Sequence, residues 1–150
     1  MLSSEVFSES VIEIERLLRR VSFIIKKRGR DILKDFDITT PQFLALQVLR
    51  DHPGITMGEL CDKLFLAYST ATDLVDRMEN HGYVTRQRDP EDRRVIRLFI
   101  TEKGESIIGE VITARRRYVD QILKELSEEE IEQLARSLEK LNSLMRPQNV

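Results

Sequence analysis

Apolar residues recur at Phe7, Val11, Ile14, Leu18, Val21, Ile25 and Ile32, a four-three rhythm. It predicts one helix from Glu5 to about Asp35 with a single apolar stripe, close to a coiled-coil seam. Ile108, Ile112, Val119, Ile122 and Leu126 mark a second long helix within Glu105–Leu126. Ile131, Leu134, Leu138, Leu141 and Met145 mark a third, which Ser127 and Glu130 open as a capping box. Such stripes must be buried. A helical bundle within one chain would do it, and so would a dimer interface built from both ends of the sequence, 5–35 and 104–146.

The middle has a different texture, short helices with clear stops. Thr40 before Pro41 reads as an N-cap with proline at the first helical position, opening a helix through Phe43, Leu46 and Leu49. His52-Pro53-Gly54 ends it. Thr56 and Glu59 form another capping box, starting a helix through Leu60, Cys61 and Leu64. After Phe65-Leu66-Ala67 comes a third helix, about Tyr68 to His81, stopped by Gly82. Two short helices joined by so brief a turn form a helix-turn-helix. The period then drops to two over Tyr83–Arg88 and Val95–Thr101, with Asp89-Pro90-Glu91-Asp92 suited to a type I turn between them. The predicted fold is therefore mainly α with a small β-hairpin wing, a winged helix over 40–101, with the long terminal helices forming a dimerisation region.

The third helix turns Ala71, Leu74, Val75 and Met78 inward and Ser69, Thr70, Thr72, Asp73, Asp76, Arg77 and Asn80 outward. That outer face fits a solvated helix as well as one that reads DNA. Its hydroxyls suit base edges or phosphates and Arg77 a phosphate or a guanine, whereas Asp73 and Asp76 repel phosphate unless arginines pair with them. Charge sharpens the choice. The formal net charge is -2, and the charges are spread almost evenly along the chain, so any attraction for a polyanion must be local. It is concentrated in RQRDPEDRRVIR, which holds Arg86, Arg88, Arg93, Arg94 and Arg97 at and beside the hairpin tip. Arginine's planar fork suits phosphates and narrow minor grooves. The alternative is a solubilising turn whose arginines only neutralise Asp89, Glu91 and Asp92.

Other classes find little support. No apolar run approaches the roughly 20 residues needed to span a membrane, and the start, Met1 to Glu5, lacks the features of a signal peptide. Cys61 stands alone, which excludes an internal disulfide, suits a reducing cytoplasm and reads as a small core hydrophobe. His52, His81 and Cys61 have no metal-ligand spacing, and no nucleophile or acid/base constellation is present, so neither cofactor, metal nor enzymatic activity is expected. The competing non-enzymatic reading is a dimeric helical adaptor whose hairpin meets an acidic partner.

Asp89-Pro90-Glu91-Asp92-Arg93-Arg94, followed by Leu98-Phe99-Ile100-Thr101-Glu102-Lys103-Gly104, resembles the wing signature of MarR-family transcription regulators: Asp-x-Arg, a short strand ending in Leu/Ile-Thr, then glycine. The stretch Ser69 to Val84 resembles that family's recognition helix running into the first wing strand, and Thr39-Thr40-Pro41-Gln42-Phe43 the start of its second helix. The likeness covers roughly residues 10–145. It implies an obligate homodimer on double-stranded DNA with an inverted-repeat operator, acting as a repressor and sometimes an activator. It further implies that Asp92 orients the wing through a salt bridge and Arg94 enters the minor groove. Ser69, Thr70, Thr72 and Arg77 would face the major groove or its phosphates. Asp73, Arg86, Arg88 and Arg93 complete the expected DNA-facing set. A small aromatic or lipophilic effector would bind where the first helix, the second helix and helix 105–126 meet. The chain departs from the pattern twice, with Ala67 where a capping Ser or Thr is common and Phe65 where the turn often has glycine.

Overall fold

The computed structural model describes residues 4–146, which leaves Met1–Ser3 of the stretch read for a leader outside it. The chain divides after Ile112 into two units. In the first, α1 runs over Glu9–Leu33, opened by Ser8, whose Oγ accepts the N–H of Val11 at 3.3 Å. Only Gly29, Ile32 and Leu33 of this helix are buried. The apolar stripe ahead of them, including Val11, Ile14, Leu18, Val21 and Ile25, stays open.

Helix α2 covers Thr40–Asp51. Its N-cap is Thr39 and not Thr40: the Thr39 hydroxyl accepts the Gln42 N–H at 3.3 Å, and the Gln42 carbonyl oxygen accepts the Thr39 N–H at 3.0 Å. This reciprocal box satisfies two N–H groups where the alternative satisfies fewer, and Pro41 loses nothing because first-turn N–H groups have no helical partner. Helix α3 (Met57–Leu64) is opened by the expected Thr56–Glu59 box. Phe65 then takes a left-handed conformation, φ 54°, the one positive φ outside glycine among the described residues. A bulky side chain in that region is costly, so the turn here demands the geometry that glycine would supply freely. Helix α4 (Tyr68–Asn80) follows without a side-chain cap at Ala67.

Strand β1 (Ile55–Thr56), β2 (Val84–Arg88) and β3 (Ile96–Ile100) form an antiparallel sheet in the order β1-β3-β2. The hairpin matches the period-two pattern. The edge strand β1 is too short to show alternation, so the sequence carries no sign of it. Register places Val84 opposite Ile100, Arg86 opposite Leu98 and Arg88 opposite Ile96, with Ile55 on the other side of Leu98.

Phe43, Leu46 and Leu49 of α2, Leu60 of α3, Val75 and Met78 of α4, and Val84 and Leu98 of the sheet make one core. Ile108 and Val111 of α5 (Glu102–Leu123) complete it. Each such side chain contributes about 1.5–3 kcal/mol on leaving water. Helix α5 begins earlier than its apolar pattern suggested because Thr101 caps it: the Thr101 hydroxyl accepts the Gly104 N–H at 3.1 Å and donates to the Gly82 carbonyl at 2.6 Å. In the second unit α6 (Glu128–Met145) is opened by the Ser127–Glu130 box and buries none of its described residues. No helix among the described residues is long and apolar enough to cross a membrane.

Gly104 sits where a Cβ would lie 2.5 Å from the Tyr83 carbonyl oxygen and 2.7 Å from Ile100 Cγ1. Backbone cannot yield as a flexible side chain does. Gly104→Ala is expected to destabilise the fold by about 1–3 kcal/mol, measured as a lower denaturant midpoint. A midpoint equal to that of wild type would show that the junction can spread.

Candidate nucleic-acid interface

Helix α4 is held by its inner face, with Ala71, Val75 and Met78 buried. Its outer arc presents Ser69, Thr70, Asp73 and Arg77 to solvent. Thr72 is half-buried, and its hydroxyl donates to the Tyr68 carbonyl at 2.8 Å, which spends that donor on the helix itself. Arg77 pairs with Asp73 one turn back at 3.3 Å, both side chains about two-thirds exposed. Such a pair contributes little to stability and exchanges readily for a better partner. Tyr68, 59% exposed at the first helical residue, shares this end of the helix and was absent from the expected set. Its signal was positional only, one residue past the uncapped start.

The wing separates its arginines into different jobs. Residues 84, 86 and 88 share the inner side of β2 with Leu98 and its neighbours, so Arg86 is drawn beneath α4. There its Nη2 donates to Asp76 Oδ1, and its Nε lies 3.9 Å from Glu79 Oε2. The Arg86 side chain is 25% exposed, against 91% for Arg94. Arg88 reaches across the loop to donate to the Arg93 carbonyl at 2.9 Å, closing the tip without losing its charge. Arg93 is exposed, and among the described residues its side chain has no hydrogen bond or ion pair.

Two aspartates organise the tip. Asp89 Oδ1 accepts the N–H groups of Glu91 at 2.8 Å and Asp92 at 3.2 Å, an Asx turn, while its Oδ2 accepts from Arg97 Nε at 2.6 Å. Arg97 also donates from Nη1 to the Gly54 carbonyl at 2.9 Å, so the chain Asp89–Arg97–Gly54 fastens the tip to the loop before β1. Asp92 does something narrower: its carboxylate accepts from the Arg94 N–H at 3.1 Å and from Arg94 Nε at 3.2 Å. Asp92 therefore orients one arginine, and the bracing of the tip falls to Asp89. Within the stretch itself three acids face five arginines. Asp76, from outside the stretch, takes one of them, so that Arg88 and Arg93 carry positive charge at the tip without a carboxylate partner among the described residues, while Arg94 shares its charge with Asp92.

Cys61 is buried in the helix-turn-helix. Among the described residues no group of three or more His, Cys, Asp or Glu is arranged to hold a metal ion.

A helix-turn-helix with a polar, exposed second helix, followed at once by a hairpin with a cationic tip, defines a winged-helix DNA-binding protein. Residues 36–95 match the model of the MarR family. The chain is 46% identical over 138 residues to the uncharacterized HTH-type transcriptional regulator YsmB of Bacillus subtilis (strain 168), covering 92% of this chain and 94% of YsmB. It superposes with a TM-score of 0.82 on a MarR family protein from Bacillus stearothermophilus, at 47% identity over 94% of this chain and 99% of the other. Streptococcus pneumoniae FabT, solved in complex with DNA, gives a TM-score of 0.69 at 25% identity, covering 90% and 96%. The chain belongs to the MarR family and is a helix-turn-helix transcriptional regulator, not an enzyme.

The Arg97 guanidinium, and then the two N–H groups, hold the Asp89 carboxyl below its ordinary value of 3.8. A lowered folded-state value means stability that is present above the unfolded value and lost as pH falls through the folded one. Asp89→Asn keeps an oxygen for the Glu91 and Asp92 N–H groups but loses the charge. The gap in denaturant midpoint between wild type and this variant is expected to hold from neutral pH to about pH 5 and to close on further acidification. A gap that persists into strong acid would remove the ion pair as its cause.

Proposed function

We propose that the protein is a ligand-responsive repressor that binds a pseudo-palindromic operator as a homodimer. The observation that carries the DNA reading is the wing tip, where Arg88 and Arg93 have no carboxylate partner among the described residues and Arg94 is 91% exposed while held by Asp92. Arg94 enters the minor groove, and Ser69, Thr70 and Arg77 face the major groove or its phosphates, with Tyr68 at the leading end of the helix. The Asp73–Arg77 pair opens as Arg77 turns to DNA. Arg88 and Arg93 supply the non-specific attraction that an acidic chain otherwise lacks.

The open stripe of α1 supports a dimer. Val11, Ile14, Val21 and Ile25, with Phe7 just ahead of the helix, are each about half-exposed or more, as are Leu138 and Leu144 of α6. An open apolar stripe as long as that of α1 marks an interface. A two-fold axis then sets the two recognition helices about one DNA turn apart, roughly 34–36 Å, and makes the operator an inverted repeat. Repression follows from occupying promoter DNA. The effector reading draws support from a cleft of about 570 Å³ within the first unit. It is lined by Leu33, Phe36, Ile38, Arg30 and Lys34, by Arg77 of α4, and by His81, which caps that helix. Its lining differs from the expected site, since α4 takes the place assigned to helix 105–126. A ligand there acts only by favouring one disposition of α4 over another.

Fluorescence anisotropy on duplex DNA from upstream of the protein's own coding region tests this. Arg94→Ala is expected to weaken specific binding by about 1–3 kcal/mol, and unchanged specific binding would sink the wing assignment. Sedimentation at micromolar concentration is expected to give a dimer, and a monomer would remove the two-lobed arrangement.

A further inference from the structure

We propose that Arg86 is a positioning residue and not a phosphate contact: it latches the wing to the recognition helix and cancels the charge of Asp76, so that α4 and the hairpin meet DNA as one body. This rests on the DNA-binding reading above.

Three observations carry it. Pairing with Leu98, which is fully buried, puts the Arg86 side chain on the inner face of the sheet, the face that packs on α4. The guanidinium lies against two carboxylates of α4, bonded to Asp76 and 3.9 Å from Glu79. Those acids are three residues apart, on one side of the helix. Finally, Arg86 Nε is sealed from water with no hydrogen-bond partner of its own. A guanidinium held in this way, with Nη2 on Asp76 and Nε out of reach of solvent, has its direction set by α4 and not by a phosphate. Arg94 has no such tie to the body of the fold and is almost wholly exposed.

The latch also answers the difficulty of acids on a DNA-reading helix. Asp76 is half-exposed, and without Arg86 it would set a negative charge beside the phosphates. With Arg86 in place the pair is close to neutral towards DNA. Its contribution to affinity is thus the removal of a repulsion and the fixing of the hairpin's angle, through a charge-assisted bond between two elements.

The test compares wild type, Arg86→Gln, Asp76→Asn and the double variant Asp76→Asn/Arg86→Gln, measuring affinity for operator DNA across a salt series. Arg86→Gln is expected to bind on the order of tenfold more weakly, and the double variant to return to within about threefold of wild type. The salt slope of the double variant should equal that of wild type, because no phosphate contact has been lost. If both Arg86 variants lose affinity alike and the slope falls by about 0.9, Arg86 touches a phosphate and the proposal is overturned. Arg86→Gln binding as tightly as wild type overturns it as well. Should Arg86→Gln fail to fold, the slope of the double variant decides alone. Wild type lacking any salt-dependent duplex binding would be a different failure, that of the DNA reading itself.

Discussion

At Tyr83 four segments of the chain are joined through a single residue. Gly82, at φ 79°, lets the chain leave α4, and the Tyr83 N–H returns to the Met78 carbonyl at 2.9 Å. The Tyr83 carbonyl accepts the Thr101 N–H at 3.0 Å, closing the hairpin at its base just where Thr101 begins α5. Its hydroxyl donates to the Asp37 carbonyl at 2.8 Å, reaching the loop between α1 and α2, and its ring stacks on His81 with centroids 5.5 Å apart. Burial first, then the charges of Asp37 and Glu110, push the phenol above its ordinary range, so the hydroxyl keeps its proton and remains a donor. Gly104 belongs to the same knot, since only a residue without Cβ fits against that carbonyl. The recognition helix and the wing diverge from this one point.

Much of this was legible because local chemistry acts over a few residues. The change of period from 3.6 to 2 after Gly82, the Thr56 and Ser127 boxes and the inner face of α4 all depend on neighbours within one turn. Phe65 and Ala67 stood out in the sequence as departures, and both appear as such, one in a left-handed turn and the other as an uncapped helix start. What escaped involves partners distant in sequence or a choice between near equals. Strand β1 exists only because β3 lies beside it. Thr39 outcompetes Thr40 through the reach of the Gln42 side chain. Asp89 and not Asp92 braces the tip because the loop closes through the Asp89 N–H to the Val95 carbonyl, at 2.9 Å, and so swings Asp89 towards Arg97. The partition of arginines between latch and tip needed the Arg86–Leu98 register, which alternation permits but a single strand does not reveal.

The arginine-rich stretch therefore does not behave as a patch of uniform charge. Asp76 and Asp89 draw one arginine each into the body of the fold, and Asp92 holds a third at the surface without covering it. The exposed pair of Asp92 and Arg94 contributes little to stability. Its effect is geometric, since a side chain with four rotatable bonds is restricted to a narrow range of directions. An acidic protein can in this way present a small, ordered cationic tip while its overall field stays weakly negative, which disfavours indiscriminate adhesion to polyanions.

Because Ile108 and Val111 close the core, the order of synthesis matters. The helix-turn-helix and hairpin are made before α5, yet they have no finished interior until its first turns leave the ribosome. Through this interval α1 has already emerged with its apolar stripe open. The nascent chain thus offers a sticky helix well before it owns a stable body, and domains complete themselves as units when their last core residue arrives. A chaperone that grips exposed apolar helices would meet α1 first, and completion of the core at Val111 would still leave that stripe open.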